Sequence, residues 1–282
     1  MKLQKTLTAA AIALTLTACG PAAQTNGKSG EGIREGFTAS QGDAIATSTV
    51  AVIGGAFQLI CSGTLIDEDV VVTAAHCISQ DVPMFVVFNV NATDVKSYHP
   101  ANAIAVHPNY ISELRDENGR TVLNRNDIAI IRFSGKHPDN YKVATILADQ
   151  SVIQKGTTVT VAGYGVHDDF PVVAGPVDRP SDFAGDGTGL LRSTKITVAN
   201  GNFSESEVLL DQRLGTGACQ GDSGGPAYLT VNGKLQVWGV ASWGAARAEK
   251  SACLSAVIYT KIQPHLGFIE KVKAYLKAHP AK

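Results

Sequence analysis

This sequence is poor in charge. Asp, Glu, Lys and Arg make up 17% of its 282 residues and cancel to a formal net charge of −1. No stripe of Lys and Arg marks any segment, which sets nucleic-acid binding aside, because affinity for a phosphate backbone needs that footprint. No internal repeat is visible. The apolar stretch at residues 7–18 is too short for a membrane span, and behind Lys2 and Lys5 it has the layout of a secretory signal. An even cysteine count is missing as well. Five cysteines are awkward for an exported chain, where an odd one predicts a free thiol or an intermolecular bond.

What the chain does have is glycine, 28 residues of it, and many short runs of Val, Ile and Thr. Such runs fall at residues 50–54, 70–73, 85–90, 128–133, 157–162, 195–198, 235–242 and 256–260, with turn residues between them. That pattern predicts antiparallel β-structure, and all-β chains of this length often form one unit. Residues 265–279 differ. Leu266, Ile269, Val272 and Leu276 share one helical stripe, Pro264 suits a helix start, and the lysines form a solvated outer face.

The chemistry concentrates in Cys219-Gln220-Gly221-Asp222-Ser223-Gly224-Gly225-Pro226. A serine set among glycines, beside open backbone N–H groups, suits acyl transfer, whose tetrahedral intermediate carries an oxyanion that needs fixed donors. Taken alone the run could be a Gly-rich turn. Two further segments change the balance: Thr73-Ala74-Ala75-His76-Cys77 closes the β-branched run Val70-Val71-Val72, and Asn126-Asp127 leads into Ile128-Ala129-Ile130-Ile131. A serine hydroxyl needs a base to take its proton, and a histidine serves best when a buried carboxylate fixes its tautomer.

The order His76, Asp127, Ser223, with these flanks, resembles the chymotrypsin-like (trypsin-like) serine peptidases. Further segments carry the likeness: Cys61-Ser62-Gly63-Thr64-Leu65-Ile66, His107-Pro108-Asn109-Tyr110, Gly163-Tyr164-Gly165, Ser242-Trp243-Gly244 and Tyr259-Thr260-Lys261-Ile262. It runs from about residue 33 to the end. The resemblance implies an all-β fold of two six-stranded antiparallel barrels, 33–150 and 151–282, the second followed by a C-terminal helix. It implies Ser223 as nucleophile, His76 as base and then acid, Asp127 as orienter of the imidazole, and the N–H groups of Gly221 and Ser223 as oxyanion hole. It implies disulfides Cys61–Cys77 and Cys219–Cys253, a polypeptide substrate laid along Ser242, Trp243 and Gly244, a monomer, and no cofactor. Family members that prefer Lys or Arg carry an Asp six residues before the nucleophile. Here that position is Gly217, followed by Ala218, with Val257 on the opposite wall, so cleavage after uncharged, apolar residues is expected.

Two stretches look inserted, residues 113–125 and 167–189. The second is rich in Asp, Gly and Pro but lacks the ordered spacing of a calcium loop, so no metal is expected. Members of the family are usually activated by a cut before an Ile-Val-Gly-Gly-like start, whose new ammonium pairs with the Asp before the nucleophile. The counterpart is Ile33-Arg34-Glu35-Gly36, with Asp222 as partner; Val52-Ile53-Gly54-Gly55 lies too near Cys61.

Leu16-Thr17-Ala18-Cys19 resembles the bacterial lipobox, which implies a signal peptide at 1–18, lipid on Cys19, and a flexible linker over 19–32. Membrane contact is then through the lipid alone. Four cysteines remain, and both expected disulfides need an oxidising compartment. The expected location is the outer membrane or, after a cut at Ile33, the periplasm or medium. The competing expectation is a silent family member that binds peptides in the same groove.

Overall fold

The computed structural model describes residue 33 and residues 36–55, 59–166, 188–245 and 252–280. The expected signal peptide, Cys19, the linker and most of the second inserted stretch lie outside them.

Six strands close the first barrel: β2 (Thr49–Gly54), β3 (Leu59–Asp67), β4 (Val70–Thr73), β5 (Met84–Val87), β6 (Tyr98–Val106) and β7 (Ala129–Phe133), in the ring order β2-β3-β4-β7-β6-β5. Every pairing is antiparallel. Strands β2, β4 and β7 are buried along their whole length, because both of their faces are covered. In β2 the two-residue period sorts the faces: Val50 and Val52 join the barrel core with Val71, Ile130 and Phe133, while Ala51 and Ile53 pack with Ala162, Tyr164 and Leu191.

The second ring comprises β9 (Thr158–Gly163), β10 (Arg192–Asn200), β11 (Glu207–Asp211), β14 (Ala256–Lys261), β13 (Lys234–Gly244) and β12 (Pro226–Val231), with β12 pairing back on β9. Short strands from earlier in the chain extend it: β1 (Phe37–Thr38) beside β10 and β8 (Thr145–Ile146) parallel to β13. Along β10 the burial alternates, with Arg192, Thr194, Ile196 and Val198 inward and Lys195 and Thr197 outward. The core of this barrel gathers Val159, Val161, Val208, Leu210, Trp238 and Tyr259, together with Ile33.

Helix α1 (Leu266–Ala278) follows a 3-10 turn containing Pro264 and lays its apolar stripe on the first barrel. Ile269 and Leu276 are buried, and Arg132 of β7 donates to Leu276 O at 3.0 Å and His279 O at 2.8 Å. A cation on the last carbonyls is favourable there. The two expected disulfides, Cys61–Cys77 and Cys219–Cys253, are both formed.

Candidate active site

The first barrel supplies a histidine and an acid. His76 stands on a 3-10 turn, Ala75–Cys77, directly after β4, and the Cys77 bond to Cys61 of β3 pins that turn. Asp127 lies two residues before β7 and is wholly buried. The two meet twice: His76 N–H donates to Asp127 Oδ1 at 2.9 Å, and the ring Nδ1 lies 2.7 Å from Oδ2. A third donor comes from the second barrel, Ser242 Oγ at 2.5 Å from Oδ2. Burial alone raises the Asp127 pKa, but the bond from the His76 ring, its charge and the Ser242 hydroxyl together hold it below the usual carboxylate range. An ionised acid at Nδ1 leaves the other ring nitrogen, Nε2, free to accept a proton.

The approach to Asp127 is a braced loop. Asn124 and Asn126 adopt left-handed backbone, with φ of 54° and 53°, a conformation that asparagine tolerates better than most side chains. Asn126 Nδ2 donates to Asn109 O and Asn124 O, and its Oδ1 lies 3.0 Å from His265 Nε2. Asn124 bonds Glu207 and Ser206 of the second barrel. The first inserted stretch therefore ends in side-chain bonds that bridge the barrels next to the acid.

Ser223 belongs to the turn between β11 and β12. Ser62 N–H donates to Ser223 O at 2.7 Å, and Gly224 N–H donates to Ala241 O at 2.8 Å. Gly224 has φ 79°, and a Cβ there would run into Thr73 Oγ1 and Ser62 O, so only glycine lets the turn seat against β3 and β4. This brings Ser223 beside the strand end that carries His76. Among the described residues no hydrogen bond joins Ser223 Oγ to His76 Nε2, and neither Gly221 N–H nor Ser223 N–H is taken by an acceptor.

Behind the turn, Gly217 (φ 147°) faces a side chain that sequence reading missed. A Cβ at Gly217 would collide with the carboxamide of Gln212, which is fully buried and donates Nε2 to Ala218 O at 3.1 Å. Ala218 and Val257 are buried in the second-barrel core. Residues 242–244 ladder onto β14, while the β12 pairing of β13 stops at Val240, so among the described residues no strand pairs with their outer edge. Ser242 turns its hydroxyl inward to Asp127. Trp243 is half-buried, with Phe203 at 6.2 Å between ring centroids.

Asp222 is wholly buried, accepting from Gly165 N and Cys219 N at 2.8 Å each. Burial pushes its pKa up to about 7 against the pull of those N–H groups and of the Arg192 charge. A grouping of metal-ligating residues, Cys61, His76 and Cys77, has both sulfurs committed to the disulfide and offers no thiolate.

The trypsin family profile matches residues 33–269. Similar curated proteins include a trypsin of Sus scrofa, 30% identical over 224 residues (76% of this chain and 85% of that one). Another is an anionic trypsin of Bos taurus, 28% identical over 224 residues and 80% of its length. A third, "Serine protease 1" of Rattus norvegicus, is 30% identical over 220 residues, 74% of this chain and 78% of that one. With two closed barrels, a terminal helix and a buried Asp127 paired to the exposed ring of His76, this chain belongs to the trypsin family of serine proteases.

Proposed function

We propose that the protein is a serine endopeptidase that cleaves polypeptides after uncharged, apolar residues through an acyl-enzyme. Ser223 Oγ attacks the scissile carbonyl while His76 Nε2 takes its proton, and Asp127 holds the Nδ1–H and balances the imidazolium. The oxyanion lies on the N–H groups of Gly221 and Ser223. His76 then returns the proton to the leaving amine, and water releases the acyl group by the same steps. The observation that carries this reading is the 2.7 Å contact between His76 Nδ1 and a buried Asp127 that also accepts from Ser242.

The resemblance puts the specificity pocket at Gly217, Ala218 and Val257, and the neutral Gln212 carboxamide packed against Gly217 supports the uncharged preference. A buried arginine of the substrate would lack a counter-charge there, a costly state. An extended substrate adds a strand along the outer edge of residues 242–244. The disulfides fit an oxidising compartment, and the lipobox-like Leu16-Thr17-Ala18-Cys19 supports export with a lipid on Cys19.

The test is hydrolysis of a diverse peptide library. Cleavage after neutral side chains, abolished by Ser223→Ala, is expected. Cleavage dominated by Lys or Arg overturns the pocket assignment. The absence of a Ser223–His76 hydrogen bond among the described residues is the one observation that favours a silent peptide-binding member. That reading predicts peptide binding equal in wild type and Ser223→Ala with no turnover in either.

A further inference from the structure

The orientation of Asp222 decides whether the Gly221 and Ser223 N–H groups converge, because its carboxylate ties Cys219 to Gly165 from inside the turn. A carboxylate held there without a cation is disfavoured by burial. The family resemblance implies a new ammonium at Ile33 as that cation, made only by cutting the peptide bond before it. In the uncut chain Ile33 is already buried in the second-barrel core, but its nitrogen is an uncharged amide. Its φ is 29°, a value that a β-branched residue adopts at a cost.

A different cation faces Asp222 from a neighbouring strand position. Arg192, the first residue of β10, is 0% exposed. It lies directly opposite Gly163 of β9, and antiparallel partners place their side chains on one face, with Cβ atoms about 4.5–5.5 Å apart. A Cβ at Gly163 would strike Asp222 Oδ1, and a Cβ at Gly165 would strike the same carboxyl group. Both glycines therefore press bare backbone onto the Asp222 carboxylate, and Arg192 extends from the strand position facing it. Arg192 also donates Nη1 to Leu190 O at 3.3 Å. Its charge draws the Asp222 pKa down against burial.

We propose that Arg192 is a positioning residue, an in-chain cation that holds Asp222 and the 219–223 turn in working order before any cut at Ile33. The uncut chain, still joined to its N-terminal segment, then hydrolyses peptides, and lipid attachment no longer conflicts with activity. This rests on the serine endopeptidase reading above.

The experiment compares the full chain, with residues before Ile33 verified by intact mass, against a form whose first residue is Ile33, freed through an engineered cleavage site. Wild type, Arg192→Met and Arg192→Lys are each titrated with a fluorophosphonate and assayed on a neutral peptide. The uncut wild type is expected to label and to turn over within about tenfold of the cut form. Uncut Arg192→Met should lose roughly 10²–10³ in kcat/KM, the scale of losing an oxyanion donor. Arg192→Lys should keep most of the activity, and freeing Ile33 should rescue Arg192→Met at least tenfold, since the new ammonium replaces the missing charge.

An uncut wild type that is inert while the cut form labels overturns the inference and leaves the peptidase reading standing. Equal losses for Arg192→Met in both forms show a merely structural arginine and also overturn it. Should Arg192→Met fail to fold, the wild-type pair and Arg192→Lys decide. Inertness of every form removes the peptidase reading itself.

Discussion

Asp127 and Asp222 are both wholly buried acids in the same cleft, one from each barrel, and they are driven in opposite directions. Asp127 receives an imidazole at 2.7 Å, a hydroxyl at 2.5 Å and a backbone N–H at 2.9 Å, and its pKa falls. Asp222 receives two backbone N–H groups and the field of Arg192, and its pKa rises to about 7. Burial opposes ionisation equally in kind. What differs is how many donors point at the charged form and how directly. The first-barrel acid is finished as it stands, whereas the second-barrel acid responds to whichever cation is set beside it.

Substitutions sharpen that contrast. Asp127→Asn should have the largest effect, a fall of about 10⁴ in kcat with KM nearly unchanged, because the imidazole loses its tautomer and its counter-charge. Steady-state kinetics would show it, and a loss below tenfold would contradict the role given to the acid. Asp222→Asn should cost less, roughly 10²–10³ in kcat, by loosening the donors of the 219–223 turn.

The pH dependence of stability separates the two acids further. The Asp127 pKa is depressed by folding, so its contribution is present above the unfolded carboxylate range and is lost as pH falls through the folded value. The Asp222 pKa is raised, so its contribution is complete below the unfolded value near 3.8 and is lost as pH rises through about 7. Urea denaturation between pH 4 and 8 should show Asp222→Asn gaining on wild type by a few kcal/mol as pH rises. A flat difference would mean that Asp222 is as well served as Asp127.

The smallest expected effect lies in the pocket. Gly217→Asp alone should not confer cleavage after Lys or Arg, since the Gln212 carboxamide fills the space and φ of 147° disfavours a side chain. Adding Gln212→Gly should admit the carboxylate and bring basic residues into the profile. A switch by Gly217→Asp on its own would place Gln212 elsewhere.

The β-branched runs made most strands legible: the run at residues 70–73 is β4, and those at 157–162 and 256–260 fall within one residue of β9 and β14. The barrel strands β3, β6, β11 and β12 were not among those runs. Strand β6 (YHPANAIAV) carries Pro and small alanines, and its half-buried alternation contains few β-branched residues. The loops holding His76, Asp127 and Ser223 were legible because glycine, acid and imidazole chemistry is local to each motif. Ser242 on Asp127, Gln212 behind Gly217 and the Arg192 charge acting on Asp222 were not, for they couple through space with no local period to announce them. Asn124, reaching Glu207 and Ser206 across the barrels, is a fourth such case.

The most direct test of the account is to map the adduct of a fluorophosphonate by mass spectrometry in wild type and in Asp127→Asn. A single adduct on Ser223, formed far more slowly in the variant, is the predicted result. No adduct on Ser223, before or after freeing Ile33, would contradict the claim that a buried acid and an imidazole from one barrel activate a serine of the other.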